Sequence, residues 1–250
     1  MRALSASHIL YAWEAGRQKH LVDRALLLLA LALPSLSPAA LRSLTVGQRN
    51  KELLLLRQKT LGTQAQCFVQ CPHCNEKLEF SLDLQVLLSR TVEPSVQPGE
   101  PAEQVHTLRV DDVTLSFRLP TSADLASIAS SVDAREGSHL LIERCVVQAA
   151  QDDQVVAAQD LPGNILEALA RSVSELDPLA EMELALDCPA CQHHWTTLFD
   201  IVSFFWTELD VLAKRLLRDV HIIASAYGWR ESDILALSAA RRRYYLELIQ

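Results

Sequence analysis

Two tetrads in this chain, Cys71-Pro72-His73-Cys74 and Cys188-Pro189-Ala190-Cys191, each hold a pair of thiols two residues apart. Such a pair serves either as a redox dithiol or as half of a metal site. The redox use needs its nucleophilic cysteine at a helix N-terminus, where backbone N–H groups lower the thiol pKa, inside a βαβ unit. After Cys74 the residues run KLEFSLDL, alternating polar and apolar, which is strand and not helix. The metal use needs four ligands. Four thiolates on two hairpin tips form a tetrahedral set suited to Zn²⁺, and a closed set of four sulfurs leaves no open position for catalysis. The expected cofactor is therefore one structural Zn²⁺ held by Cys71, Cys74, Cys188 and Cys191. Replacing Cys74 or Cys188 by Ser is expected to lose the ion and cause misfolding or aggregation.

The spacing is unusual, because 113 residues intervene between Cys74 and Cys188. Closure entropy grows only logarithmically with loop length, so a folded insert is tolerated. The ion would tie the two ends of that insert together and join the N-terminal part of the chain to the C-terminal part.

Other chemistry-bearing residues carry weaker signals. Cys67 and Cys145 lack a CxxC partner and sit in apolar stretches, where a free cysteine behaves as a small hydrophobe. His73, His193 and His194 lie beside the thiols; any could replace a cysteine as ligand, but histidines on an exposed turn need no such role. Asp111-Asp112 occupies a turn between two alternating runs, a usual place for Asp. Arg241, Arg242 and Arg243 form a short basic run that either meets solvent or engages an acidic partner. No Gly-rich phosphate loop, HExxH pattern or nucleophile-with-base motif is present in the sequence, so the chain is expected not to be an enzyme.

The elements that must carry the thiols follow from periodicity. A helical pattern runs from Ala6 to Leu33 and stops at Pro34. A short helix follows with Pro38 early and Gly47 after its end, and another runs through QRNKELLLLRQKT to Gly62. The period then switches to two. Ala65, Cys67 and Val69 lead into the first tetrad, and Leu78, Phe80, Leu82 and Leu84 lead out. The stretch 91–104, with three prolines and three glutamates, reads as an exposed mobile loop. Residues 106–120 read as a hairpin turning at Asp111-Asp112. PTSADLASIAS opens a helix capped by Thr121 or Ser122, HLLIERCVVQA reads as a second, and a third lies between Pro162 and Pro178. Met182, Leu184 and Leu186 lead into the second tetrad, and Trp195, Thr197 and Phe199 lead out. A long amphipathic helix spans Asp200 to Tyr227 with Gly228 as its cap, and two short helices or one bent helix close the chain. The internal repeat is therefore strand, CPxC, strand, at 65–84 and at 182–199.

Composition sets the class. Hydrophobic residues make up 49% and charged residues 22%, an ordinary globular balance, and only seven glycines argue against a turn-rich all-β protein. The net charge of −8 opposes nucleic-acid binding. The apolar run Ala25–Leu33 is far shorter than the ~20 residues a membrane span needs, so no membrane partner is expected. No signal-peptide pattern opens the chain, and six cysteines are too few for a disulfide scaffold, which points to a reducing cytoplasm. The expected fold is α+β and mainly helical. Residues 1–62 form an N-terminal helical unit, 63–90 and 180–200 the halves of a split zinc ribbon, 105–178 an inserted hairpin with helices, and 200–250 a C-terminal helical region.

Several segments together resemble one family. They are YAWEAGRQKHLVDRALLLLALALP, VGQRNKELLLLRQKTLG leading to CPHCNEKLEFSLDL, FRLPTSADL, and CPACQHHWTTLFDIVSFFWTELD leading to AYGWRESDILALSAARRRYYLELI. The chain so resembles the T4-family baseplate hub assembly chaperones of contractile-tailed phages and related contractile injection systems. The resemblance implies a non-enzymatic chaperone that binds baseplate hub or spike proteins before they join the particle. The four cysteines match the family's paired CxxC elements. Asn50 stands where an acidic residue is expected, and the family's extra glycine near that turn is missing. Competing readings are a structural baseplate component, a zinc-ribbon nucleic-acid binder and a CxxC redox protein. Aromatic residues concentrate in the C-terminal third, and Trp and Tyr anchor interfaces. Tyr227, Trp229, Arg241, Arg242, Arg243, Tyr244 and Tyr245 are the candidate partner-binding residues. The oligomeric state is left open.

Overall fold

The computed structural model describes residues 1–89, 104–129, 131, 133–152 and 154–249. The proline-rich stretch read as a mobile loop lies, apart from Gln104, outside the described residues.

The N-terminal part is four helices, α1 (Ala6–Gly16), α2 (Leu21–Ala32), α3 (Pro38–Ser43) and α4 (Val46–Leu61). The single helix expected from Ala6 to Leu33 is two. Gly16 lies so close to Trp206 that a Cβ would overlap its ring. Arg24 then donates to the carbonyls of Gly16 and Arg17 at 3.0 and 2.9 Å, satisfying acceptors that the end of α1 leaves open. His20 caps the restart by accepting from the Val22 N–H. Gly47, expected beyond a helix end, sits instead in the first turn of α4, behind a reciprocal capping box between Thr45 and Gln48.

Strands β1 (Gln64–Gln70) and β2 (Lys77–Asp83) form the first cysteine hairpin, followed by a short helix α5 (Leu84–Leu88). Leu84, expected on the strand, begins α5 because Asp83 accepts from the Gln85 N–H and caps it.

The middle of the chain builds a four-stranded antiparallel sheet in sequence order. It comprises β3 (Val105–Val110), β4 (Val113–Arg118), β5 (Val146–Gln151) and the two-residue β6 (Gln154–Val155). Asp111, with φ of 53°, makes the β3–β4 turn. Helices α6 (Ser122–Ile128), α7 (Ala134–Cys145) and α8 (Gly163–Leu176) accompany it. The helix expected through HLLIERCVVQA ends at Cys145. Val146 and Val147 are β-branched, and the next residues pair with β4, Leu115 opposite Ala149.

The second cysteine hairpin is β7 (Glu183–Asp187) with β8 (His194–Leu198). The 27-residue α9 (Ile201–Tyr227), about 40 Å long at about 1.5 Å per residue, follows directly. Asp200 caps its start, and Gly228, left-handed at φ 68°, ends it. Helices α10 (Glu231–Ala236) and α11 (Ala239–Ile249) fold back on α9.

Two apolar clusters result. The larger is built on α1, α2, α4 and α9 and extends to the bases of both cysteine hairpins through Ala65, Cys67, Leu179 and Met182. The smaller lies between the four-stranded sheet and α8, around Leu115, Phe117, Ile165 and Leu169. Polar bolts fix α9 within the larger cluster. Arg57 grips Glu208 with two bonds of 2.6 and 3.0 Å while donating to the carbonyls of Gly62 and Gln64. Trp13 donates its indole N–H to Asp210 at 2.7 Å.

Candidate metal centre

The two hairpins share one local design. In the first, the Cys71 N–H donates to Glu76 O at 2.9 Å and the Asn75 N–H donates to Cys71 O at 2.9 Å. In the second, Cys188 donates to His193 O at 3.0 Å and Gln192 to Cys188 O at 2.8 Å. Asn75 and Gln192 take left-handed φ values of 61° and 59°, which turn each chain back immediately after its second cysteine. Proline fits after the first cysteine of each pair, since neither pattern uses its N–H.

These turns bring all four sulfurs within 4.8 Å of one another. Cys71 Sγ is 3.7 Å from Cys191 Sγ, and Cys74 Sγ is 3.6 Å from Cys188 Sγ. A disulfide needs about 2.05 Å, and all six cysteines are free. A tetrahedron of thiolates with arms of about 2.3 Å has edges of about 3.8 Å, so the spacing of the two pairs fits a metal-bound set. Cys71 and Cys188 are buried, Cys191 is half-buried and Cys74 is exposed. The cluster therefore sits at the tips of the hairpins with one flank toward solvent.

The electrostatics agree with the donor set. Burial pushes the Cys71 thiol up, but the N–H groups of Cys74 and His73 and the thiols of Cys74 and Cys188 outweigh it and leave Cys71 at about 7. The Glu76 N–H draws Cys74 down, yet desolvation and the other three cysteines hold it up at about 12. One proton leaves such a cluster easily and the last leaves with difficulty. A divalent cation would supply the compensating charge and favour all four thiolates at once.

The remaining candidates go elsewhere. His73 stacks on His193 at 5.4 Å and His193 on Trp195 at 6.1 Å, a ring pile beside the sulfurs. His194 pairs with Asp187. Cys67 is buried in the larger core, and burial raises its thiol. Cys145 is buried beside Asp124, and burial pushes it up to about 11. Asp111 and Asp112 accept hydrogen bonds from Asn164 and Gln151.

At the far end of α9, Tyr227, Trp229 and Tyr245 pack on one another with ring centroids 4.9–5.7 Å apart. Tyr227 and Trp229 remain 38% and 36% exposed, Tyr244 is 62% exposed, and Arg241 and Arg243 face solvent. Arg242 turns inward and donates to Leu237 O at 2.5 Å, so the basic run is split between core and surface.

Sequence reasoning marked Asn50 only as a departure from the family pattern and missed its role. Asn50 is buried, accepts from Arg49 and donates to Leu179 O at 2.8 Å, which ties α4 to the segment before β7. The left-handed turn residues were missed as well. Asn75 carried a signal, because Asn tolerates that conformation, whereas Gln192 carried none.

A protein-family model described as T4 bacteriophage base plate protein matches residues 32–206, more than two-thirds of the chain and inclusive of both cysteine pairs. No curated protein and no solved structure matches.

Proposed function

The chain belongs to the T4 bacteriophage base plate protein family, and we propose that it is a non-enzymatic assembly chaperone, an adaptor that binds hub or spike proteins of a contractile-tail baseplate. In this reading a structural Zn²⁺ on Cys71, Cys74, Cys188 and Cys191 clasps the two hairpins. It acts in the cytoplasm of the cell that produces the particle. The cluster supports a structural role for the ion, because four thiolates complete a tetrahedral set and leave no position for a substrate.

The observation that carries the binding role is the surface at the C-terminal end of α9. Tyr227, Trp229 and Tyr244 stand exposed together with Arg241 and Arg243. Tyr, Trp and Arg are the residues that most often dominate the energy of protein interfaces. This surface lies beyond residue 206, so it is distinct from the segment that matches the family model.

The test is a tagged pull-down during particle production, with mass spectrometry of the captured proteins and of finished particles. Capture of hub or spike proteins, with this chain missing from the particles, is the expected result. Fixed stoichiometry in the finished particle would make it a structural baseplate component instead. Recovery of nucleic acid or of thiol substrates would overturn the adaptor reading altogether.

A further inference from the structure

A cleft of about 760 Å³ opens between the two apolar clusters. One wall is the middle region, with Ile142, Leu166 and Val173; the other is the helical body, with Met182 and Val202. Clefts of ~300–1,000 Å³ between structural units, apolar with a few fixed polar groups, are the usual shape of binding sites. Among the polar side chains of the lining, the buried cation is Arg49. It lines the cleft, is only 6% exposed, and bonds through Nε and one terminal nitrogen to Asn50 Oδ1 at 3.2 and 2.9 Å.

Among the described residues Arg49 has no carboxylate within ion-pair distance. The two acids that act on it from further away are Asp177 and Asp200. Both are committed: Asp177 accepts from the Gly47 N–H at 2.8 Å, and Asp200 from the Val202 N–H at 2.9 Å and the Ser203 hydroxyl at 2.5 Å. The other ionisable side chains of the lining, Glu181, Asp200 and His20, are all exposed, which leaves Arg49 as the buried cation of the cleft. A buried guanidinium with free N–H groups, set among apolar walls, is complementary to a carboxylate carried on an apolar body. Arg presents its donors in a planar fork that matches such a group.

We infer that this cleft is a peptide-docking site, which takes an extended segment of a partner protein with an Asp or Glu side chain flanked by apolar residues. The carboxylate meets Arg49 and the apolar neighbours fill the space between α8 and the start of α9. The inference rests on the adaptor reading and names a second contact for it, separate from the aromatic surface at the far end of α9.

The test pans a randomised ten-residue display library against the metal-loaded full chain, in parallel with two variants. Arg49→Gln removes the charge. Ala170→Trp fills the mouth from an exposed position on α8, where folding is not at stake. The expected result is enrichment of segments with one acidic residue among apolar ones, with binding reduced at least tenfold by either variant while the Ala170→Trp melting temperature is unchanged. No enrichment, an enriched set without acid, or enrichment that Ala170→Trp leaves intact would overturn it. Displacement of the dye-labelled enriched segment is also measured with decanoate. If the library yields nothing and decanoate alone binds, the cleft is a small-molecule pocket and the inference fails. The pull-down separates the two readings. Capture of baseplate proteins equally by wild type and Ala170→Trp would sink the cleft and spare the adaptor. Capture by neither would sink the adaptor, and the library then judges the cleft.

Discussion

Gly47 donates its N–H to Asp177 Oδ2 at 2.8 Å across 130 positions of sequence, and no side chain fits at position 47. The Gly47 N–H lies in the first turn of α4, where the helix offers it no acceptor, and the carboxylate at the end of α8 accepts from it at the positive end of the helix dipole. A Cβ at position 47 would overlap that carboxylate. Gly47→Ala is therefore expected to destabilise the fold by about 1–3 kcal/mol, the usual range for overpacking, although Ala is ordinarily the better helix former. Urea unfolding of the two proteins measures it; an unchanged or higher midpoint would refute the contact.

The cysteine cluster makes a countable prediction. With the ion bound, Cys67 and Cys145 are shielded by burial and the other four by coordination. A thiol reagent should find no fast-reacting cysteine in the native chain and four after chelation, with one Zn²⁺ released per chain. The larger helical core contains none of the four ligands, since its one cysteine is Cys67. Chelation should therefore loosen the hairpin tips first. Amide exchange at residues 71–76 and 188–193 should accelerate while the interior of α9 stays protected. Four fast thiols in the untreated, metal-analysed protein would mean that the sulfurs hold no ion.

The tetrads were legible because their information is local: two residues between thiols, alternating residues on either side and proline after the first cysteine. The long α9 was legible for the same reason, with Asp200 and Gly228 marking its ends. What escaped depends on distant partners. Nothing between Ala6 and Leu33 marks a break except Gly16, whose closeness to Trp206 exists only once α9 is folded against it. Cys145 passes into Val146 from helix to strand with no glycine or proline between them, so only pairing with β4 reveals β5. The cleft at Arg49 joins residues from both clusters and has no sequence signature at all.

Asp124 predicts an acid dependence. It receives Arg118 at 2.6 and 2.9 Å, Arg144 at 2.8 Å, and the N–H and hydroxyl of Thr121. Burial alone would raise its pKa, but these donors outweigh burial and hold the carboxyl well below the usual range. A carboxylate whose pKa is lower folded than unfolded adds stability above its unfolded value of about 3.9, and that stability fades as the pH falls below it. Asp124→Asn should lose about 2 kcal/mol at pH 7, since hydrogen bonds to a charged group are worth ~1.5–3 kcal/mol. The gap between wild type and variant should shrink steadily below pH 4. A gap independent of pH between 7 and 2 would show that the charge of Asp124 is not what matters.

Arg57 and Glu208 test how α4 is fastened to α9. Arg57 holds the carboxylate and two backbone carbonyls at once, and its side chain is only 3% exposed. Arg57→Ala strands a partly buried carboxylate and the carbonyls of Gly62 and Gln64, at a cost of about 3 kcal/mol. Glu208→Gln keeps the shape and one acceptor and should cost about 1 kcal/mol. Denaturant midpoints should rank Arg57→Ala well below Glu208→Gln. Equal losses would mean that the ion pair alone, and not the grip on the backbone, fixes the start of β1.

The aromatic surface at the end of α9 divides into a packed part and an open part, and the two should respond differently. Trp229 packs against both Tyr227 and Tyr245, so Trp229→Ala removes ring contacts and should lower the melting temperature. Tyr244 makes no such ring contact among the described residues and is 62% exposed, and Arg241 stands exposed one turn before it. The double variant Arg241→Ala, Tyr244→Ala should therefore melt like wild type. If this face anchors a baseplate protein, the same variant should weaken capture by about 30-fold or more, because an interface hot spot is worth ~2 kcal/mol or more. Surface-plasmon titration of the captured protein against wild type and variant reads this directly. Unchanged affinity, with the fold intact, would move the partner away from α11 and leave the cleft at Arg49 as the remaining surface to probe.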